Sequence, residues 1–430
     1  MTHYPSKLYV ETTTRCNLRC SMCVKYAEGA CIPEKDMSLD VFKQLQPAFP
    51  TLDTLLLNGI GEPLMTPEFP EMIRFAREHM RPEASIRFQT NGMLITESRA
   101  VELVESGVDT VCLSVDMVSE DGVFHGGESV DRISHVFEYF QRAAKSAGRS
   151  VTIGVEFVLM RENAQSLPRS IAWAAEHGAQ FVLVTHMLPY TETTMDQELF
   201  NPNTELSMAE FMRWQAEADA AGFDLSEFFG LGWKFHKTPE QRELVRFVTS
   251  RQQAALAKNI PINLKSLLLW ASPEKQAEQQ WLASILAKAQ QIAKDMGVNV
   301  TLPPVAATYD RTCDFVEQGV AHITPDGDVR PCYFLWHEYS CYMDGGKKRI
   351  TPKTFGNIME SSIVDIWNSA AYRTFRQEVL EYDYPYCSNC SVVPCSDVTG
   401  SGNPFQQDCY GLTIPCGHCL WCMGGVRCLL

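Results

Sequence analysis

Three cysteines carry the first chemistry in this 430-residue chain: Cys16, Cys20 and Cys23, spaced C-x3-C-x2-C just after an apolar, strand-like stretch. Three thiolates are one short of a closed tetrahedral zinc site. A four-iron cluster normally takes four cysteines, so a triplet on a strand-end loop points to a [4Fe–4S] cluster with one open iron, able to bind a substrate or cofactor. Two other readings stand beside it. One is a zinc knuckle that borrows a distant fourth ligand, since cysteine pairs often serve zinc. The other is a disulfide plus a free thiol. No apolar signal segment precedes Lys7, and intracellular thiols stay reduced, which argues against the disulfide.

The elements that must position the triplet show as a βα rhythm over residues 6–222. Strand-like stretches at 7–13, 54–58, 85–90, 110–115, 151–158 and 181–185 are short and rich in Val, Ile, Leu, Phe and Thr. Each precedes apolar residues at helical spacing, at 39–48, 67–78, 97–106, 131–147, 163–177 and 207–220. Alternation of this kind predicts an α/β fold with a parallel sheet, and barrel enzymes do their chemistry at the C-terminal ends of the strands, where the triplet falls. Six units predict a partial (βα)6 TIM-type barrel over residues 1–223. Residues 224–272 read as a helical insertion. Residues 273–312, with a helix over 286–297 and a strand over 298–302, read as the barrel's edge and a bridge to the tail.

Composition limits the function. A net charge of −15, without clustered Lys and Arg, excludes a nucleic-acid scaffold. No apolar run approaches the roughly 18 residues of a membrane span, so a soluble, cytoplasmic protein is expected. Eleven of the sixteen cysteines lie after residue 312. That concentration favours metal sites over disulfides.

The loops after the strands hold further candidates. In Asn58-Gly59-Ile60-Gly61-Glu62-Pro63, glycines let the backbone approach a ligand and Glu62 can face a cation; Gly-Glu-Pro is equally an ordinary turn. Gln89-Thr90-Asn91-Gly92 ends in a turn signal. Ser114 and Asp116 share one strand face. Glu156 sits among Ile153, Val155, Phe157 and Val158, where a carboxylate is costly unless it is paired or binds a ligand. His186 and Met187 follow the sixth strand.

Together these residues resemble the radical S-adenosylmethionine (radical SAM) superfamily. The resemblance implies that the open iron beside Cys16, Cys20 and Cys23 chelates the amino and carboxylate groups of SAM, which an electron then cleaves to a 5′-deoxyadenosyl radical. Gly61, Glu62 and Pro63 match the family's GGEP motif, with Ile60 in place of one glycine; in that motif the acid holds the methionyl ammonium. The resemblance further implies that Asn91 lines the SAM cavity. By position, Ser114 and Asp116 are within reach of its ribose, though Asp116 is equally a strand-end cap; the cost of a strand carboxylate gives Glu156 a functional role; and His186 and Met187 are placed to flank the adenine, though Met187 is equally a packed core residue. Met22 stands where the family has an aromatic residue against the adenine edge.

The tail carries a second pattern. Cys313, Gly327 and Cys332, followed by Cys387-x2-Cys390-x4-Cys395, resemble the SPASM domain of radical SAM enzymes, and Thr324–Cys332 reads as a β-hairpin with an Asp-Gly turn. The gap before Cys395 is one residue short of that pattern. Cys409, Cys416, Cys419, Cys422 and Cys428 are surplus thiols for a second auxiliary cluster, a zinc ion or neither; the resemblance implies a first auxiliary cluster on Cys313 and Cys332, for which Cys341 competes with Cys409, and a second on Cys387, Cys390 and Cys395. The resemblance implies one or two auxiliary [4Fe–4S] clusters, a peptide or protein substrate, and a flavodoxin- or ferredoxin-type electron donor. The closing Pro415–Trp421 run resembles a subgroup described as maturases of tungsten or molybdenum oxidoreductases. Two rival readings are a dehydrogenase of a small alcohol or sugar, and a non-catalytic iron–sulfur or zinc scaffold.

Overall fold

In the computed structural model of the chain, residues 3–390, 397–399, 408–412 and 414–429 are described. Strands β1 (Lys7–Val10), β2 (Thr54–Leu57), β3 (Ser85–Thr90), β4 (Thr110–Ser114), β5 (Thr152–Leu159) and β6 (Phe181–His186) lie side by side in chain order, each parallel to the next. Strand β7 (Asn299–Thr301) extends the sheet beyond β6, and β8 (Val320–Ile323) pairs parallel with β1 on the other side. Beyond β8 runs the antiparallel β9 (Val329–Arg330), closing the Asp-Gly hairpin. Every residue of β2 and β4 is buried, as expected of parallel strands covered on both faces. The result is the α/β partial barrel that the βα rhythm predicts.

The crossover helices are fixed by local signals. Helix α1 (Leu39–Lys43) and α2 (Phe69–His79) follow β1 and β2. Helix α3 (Glu97–Ser106) starts where the Thr96 hydroxyl accepts from Arg99 N and stops at Gly107, whose φ of +115° suits glycine. Helices α4 (Ile133–Ser146) and α5 (Leu167–Glu176) complete the covering of β4 and β5.

The helix after β6 departs from expectation. Helix α6 (Glu205–Ala221) does not cover the barrel: Phe211, Trp214 and Ala218 join a second core with residues of α7 (Phe228–Leu231), α8 (Pro239–Leu256) and α9 (Leu264–Trp270). The helical layer therefore begins near residue 205, rather than at 224. The barrel position beside α5 is taken by α10 (Pro273–Met296), which Ser272 caps and Gly297, at φ +70°, terminates. Helical spacing shows that α6 has an apolar face; it does not show which core that face enters.

Candidate active site at the strand ends

A cavity of about 280 Å³ opens at the C-terminal ends of the strands. The loop after β1 brings Cys16, Cys20 and Cys23 to it, the loop after β2 brings Gly61 and Glu62, and the loop after β3 brings Asn91. Strand ends add Ser114, Glu156 and Met187. Most of the candidate residues read from the barrel part of the sequence thus share one cavity. Pro63 and Asp116 do not line it. Pro63 opens the short helical turn that Glu62 caps.

Parallel register sets the floor. Ser114 pairs with Glu156 across β4 and β5, and their side chains are linked through Gln89 of β3. Gln89 Nε2 donates to Ser114 Oγ at 3.3 Å and to Glu156 Oε2, while Gln89 Oε1 accepts from Asn58 Nδ2 at 3.1 Å. Burial raises the Glu156 pKa to about 7 despite the Gln89 hydrogen bond. Glu156 can therefore hold or release a proton near neutral pH.

Glu62 is held on three sides. Its Oε1 accepts from Thr90 Oγ1 at 2.7 Å and from Leu64 N at 3.2 Å, and Oε2 accepts from Asn91 N at 2.8 Å. Burial raises its pKa, opposed by those three donors. A carboxylate offers about four lone-pair sites, so one is left for a ligand cation. At Gly61 a Cβ would overlap the Thr13 and Arg15 carbonyl oxygens; only glycine permits that approach.

The triplet is supported by groups that the sequence reading did not assign. Asn91 Nδ2 donates to Asn17 Oδ1 at 2.9 Å and lies 4.0 Å from Cys16 Sγ. Leu18 N donates to Cys16 Sγ at 3.5 Å. Asp116 belongs to this support and not to the cavity wall. Its Oδ2 lies 2.6 Å from His125 Nδ1 and accepts from Gly126 N at 2.8 Å, and its Oδ1 accepts from Val158 N at 2.8 Å. Asp116 stays out of the cavity lining because the chain after β4 turns into a short meander over 117–129 that folds back on the acid. Burial works against charge on His125, yet Asp116 carries its pKa well above the ordinary value. Gly126, at φ +56°, packs so closely on Cys20 that a Cβ there would overlap the Cys20 side chain. The glycine pair at 126–127 was the only sequence signal for this contact.

Met22 and Met187 pack with Met160 into a small apolar cluster at the cavity edge, where soft thioethers suit a flat ligand face. His186 also lines the cavity. The tail supplies the remaining wall: Tyr333, Trp336, Trp421, Arg427 and Cys428. Below it, Glu11, fully buried after β1, accepts from Ile60 N at 2.8 Å and lies 2.7 Å from His337 Nε2, joining barrel to tail.

The tail thiols sort by position. The Cys422 thiol contacts those of Cys313, Cys416 and Cys419, with Cys332 close enough to perturb the group electrostatically. The last three cysteines of that group, read from the sequence as surplus, are thus neighbours of the first. Cys387 lies beside Gly417, whose carbonyl accepts from Cys387 N at 2.8 Å. Cys390 borders a separate groove between α7 and the tail, and Cys409 is exposed. Cys395 lies outside the described residues. Cys341 is buried in a hairpin strand opposite Lys348. Cys428 stands in the cavity wall, accepting from Trp421 Nε1 at 3.1 Å.

A parallel partial barrel with a three-cysteine loop after its first strand, closed by a cysteine-rich tail, defines a radical SAM protein of the auxiliary-cluster type. Residues 10–174 match the Radical SAM superfamily, and residues 313–391 match SPASM, an iron-sulfur cluster-binding domain. Over 98% of its length it is 29% identical to the tungsten-containing aldehyde ferredoxin oxidoreductase cofactor-modifying protein of Pyrococcus furiosus, 96% of which is covered. It is 28% identical over 47% of its length to the PqqA peptide cyclase of Gluconobacter oxydans, covering 54% of that protein. Among solved structures, that of SuiB from Streptococcus suis bound to S-adenosylmethionine matches 96% of this chain and 76% of its own at 14% identity, with a TM-score of 0.48.

A radical SAM domain binds a [4Fe–4S] cluster and SAM, and a SPASM domain binds auxiliary iron–sulfur clusters. The donor set fits them. Three thiols face one cavity with N–H donors from Leu18 and Asn91 turned toward Cys16, and Glu62 presents a carboxylate nearby. Among the described residues no helix is long and apolar enough to cross a membrane.

Proposed function

We propose that this enzyme is a maturase that modifies a metal-dependent oxidoreductase, acting on its cofactor or on a segment of its chain. One observation carries the reading: the similarity to a cofactor-modifying protein runs over 98% of the chain, insertion and tail included, where the peptide-modifying relative matches about half. The bound cluster and SAM would supply a carbon-centred radical; the residues of this chain bind, orient and shield. Glu62 would hold a ligand cation, Met22 and Met187 an apolar ring face, and the tail residues Tyr333, Trp336 and Trp421 would shut out water. Glu156 would take or give a proton at the floor. We place the enzyme in the cytoplasm, supplied with electrons by a flavodoxin- or ferredoxin-type donor.

Dehydrogenation of a small alcohol or sugar is a second reading, favoured by Glu156. The residue after Cys332 is Tyr333, so a base is missing there; Glu156, with a pKa of about 7, would supply one. Deleting the gene in its host and weighing the cofactor of the host's tungsten or molybdenum oxidoreductases separates the readings. A changed cofactor mass or a lost covalent mark supports the maturase. Unchanged mass and unchanged activity in every such oxidoreductase would refute it.

A further inference from the structure

The stretch of tail that closes the cavity carries a cation that no described residue pairs. Residues 425–427 run along the end of β6: His186 N donates to Gly425 O at 3.1 Å, and Arg427 N donates to Thr185 Oγ1 at 2.8 Å. These two bonds hold Arg427 at the cavity beside His186. Among the described residues the Arg427 guanidinium has no hydrogen-bond or ion-pair partner, and its Nε is buried.

Two more polar atoms, on residues that line the cavity, are buried and unpartnered. Tyr333 Oη is one; the residue is 5% exposed. The other is Nδ1 of His186, a residue 2% exposed. His186 Nε2 lies 2.9 Å from Pro304 O, which can only accept, so Nε2 carries the proton and Nδ1 is a bare acceptor. The cavity's own carboxylates do not reach Arg427. Glu62 is bonded to Thr90, Leu64 and Asn91, and Glu156 to Gln89.

Buried polar groups are normally satisfied, and a desolvated charge without a partner is costly. Two buried unpartnered atoms and a half-buried guanidinium without a described partner, on residues of one cavity lining, therefore mark a ligand's place. A guanidinium fork matches the paired oxygens of phosphate or carboxylate. The Tyr333 hydroxyl can donate to the same oxygens, while His186 Nδ1 suits a hydroxyl or N–H beside them.

We propose that Arg427, with Tyr333 and His186, forms an anion subsite for a phosphate or carboxylate group carried by the substrate. Arg427 and His186 sit at the end of β6, four strands along the sheet from Glu62 after β2, while Tyr333 packs on Tyr9 of β1, so the cation of the subsite is apart from the place where the amino-acid end of SAM is expected. The inference leans on the maturase reading only for what bears the anion: a charged small-molecule cofactor rather than an uncharged peptide segment.

The test uses the full chain with its clusters reconstituted anaerobically, so it does not depend on any target being modified. Calorimetric titrations with inorganic phosphate, with acetate and with SAM are made separately and in combination. Phosphate or acetate should bind alongside SAM, leaving the SAM dissociation constant within twofold. Arg427→Gln should weaken that anion at least tenfold and leave SAM within twofold, with Arg427→Lys in between. Competition between the anion and SAM, or a tenfold loss of SAM affinity in Arg427→Gln, would assign Arg427 to the SAM carboxylate and overturn the proposal. So would unchanged anion binding in Arg427→Gln, or no binding of either anion. If Arg427→Gln fails to fold, phenylglyoxal labelling of Arg427 in the wild type, read by peptide mass, replaces it. Phosphate or acetate should slow that labelling while SAM does not, and the opposite pattern or no protection overturns the subsite.

Discussion

Glu62 and Asn91 are joined across two strands: Glu62 Oε2 accepts the Asn91 backbone N–H at 2.8 Å, and the Asn91 side chain in turn bonds Asn17 between the first two cysteines of the triplet. The acid expected to face the cation of SAM and the loop expected to hold the cluster are thus parts of one hydrogen-bonded unit. A change in either should be felt by the other.

Replacing Glu62 by Gln removes the charge and turns an amide donor toward Asn91 N or Thr90 Oγ1. SAM binding should weaken by about 1.5–3 kcal/mol, the range for a hydrogen bond to a charged group. Calorimetry on the reconstituted enzyme checks this, and an unaltered dissociation constant would remove Glu62 from the SAM site.

Glu156 predicts a pH effect on stability. Burial raises its pKa from 4.5 to about 7, so between those values the folded state binds more protons than the unfolded state. Stability contributed by the protonated form is full below pH 4.5 and lost as pH rises through about 7. Glu156 faces a cavity, and screening there reduces the loss to about 1–3 kcal/mol. The Tm of the wild type relative to Glu156→Gln should therefore fall between pH 5 and pH 8. A difference independent of pH would show that Glu156 keeps an ordinary pKa.

The contact of Gly126 with Cys20 can be tested against its neighbour. Gly126 and Gly127 both have positive φ, at +56° and +88°, but a Cβ on Gly127 meets nothing within 4 Å. Gly126→Ala should push the cysteine loop away and lower the iron bound at the triplet. Gly127→Ala should leave the iron content unchanged and carry only the backbone strain of about 1–3 kcal/mol. Equal iron in the two variants would mean that the meander does not support the triplet.

Much of this was legible in the sequence, for physical reasons. Strands β1 to β6 show because their apolar, β-branched runs end at turns, and Glu97–Ser106 shows because Thr96 and Gly107 cap it. What stayed hidden depends on distant contacts. The thiols of Cys416, Cys419 and Cys422 meet that of Cys313 across about a hundred residues of chain, and spacing alone cannot group them. Asp116 lies two residues past Ser114, where β4 ends, and the meander that follows bonds its oxygens. Arg427 carries no motif; only its place beside Thr185 and its lack of a partner single it out.

The grouping of tail thiols gives a further prediction. Cys416→Ala should lose auxiliary iron while leaving the triplet's iron in place, and Cys341→Ala, whose thiol is buried opposite Lys348, should lose none. Iron analysis with Mössbauer spectroscopy distinguishes the populations. Loss of iron in Cys341→Ala with none in Cys416→Ala would invert the assignment.

The central claim is that Cys16, Cys20 and Cys23 hold the cluster at which SAM is cleaved. Its most direct test is 5′-deoxyadenosine formation under dithionite by the variant with all three replaced by Ala, beside its iron content. The account predicts no 5′-deoxyadenosine, with auxiliary iron retained in the tail. Formation of 5′-deoxyadenosine at the wild-type rate in that variant would contradict it.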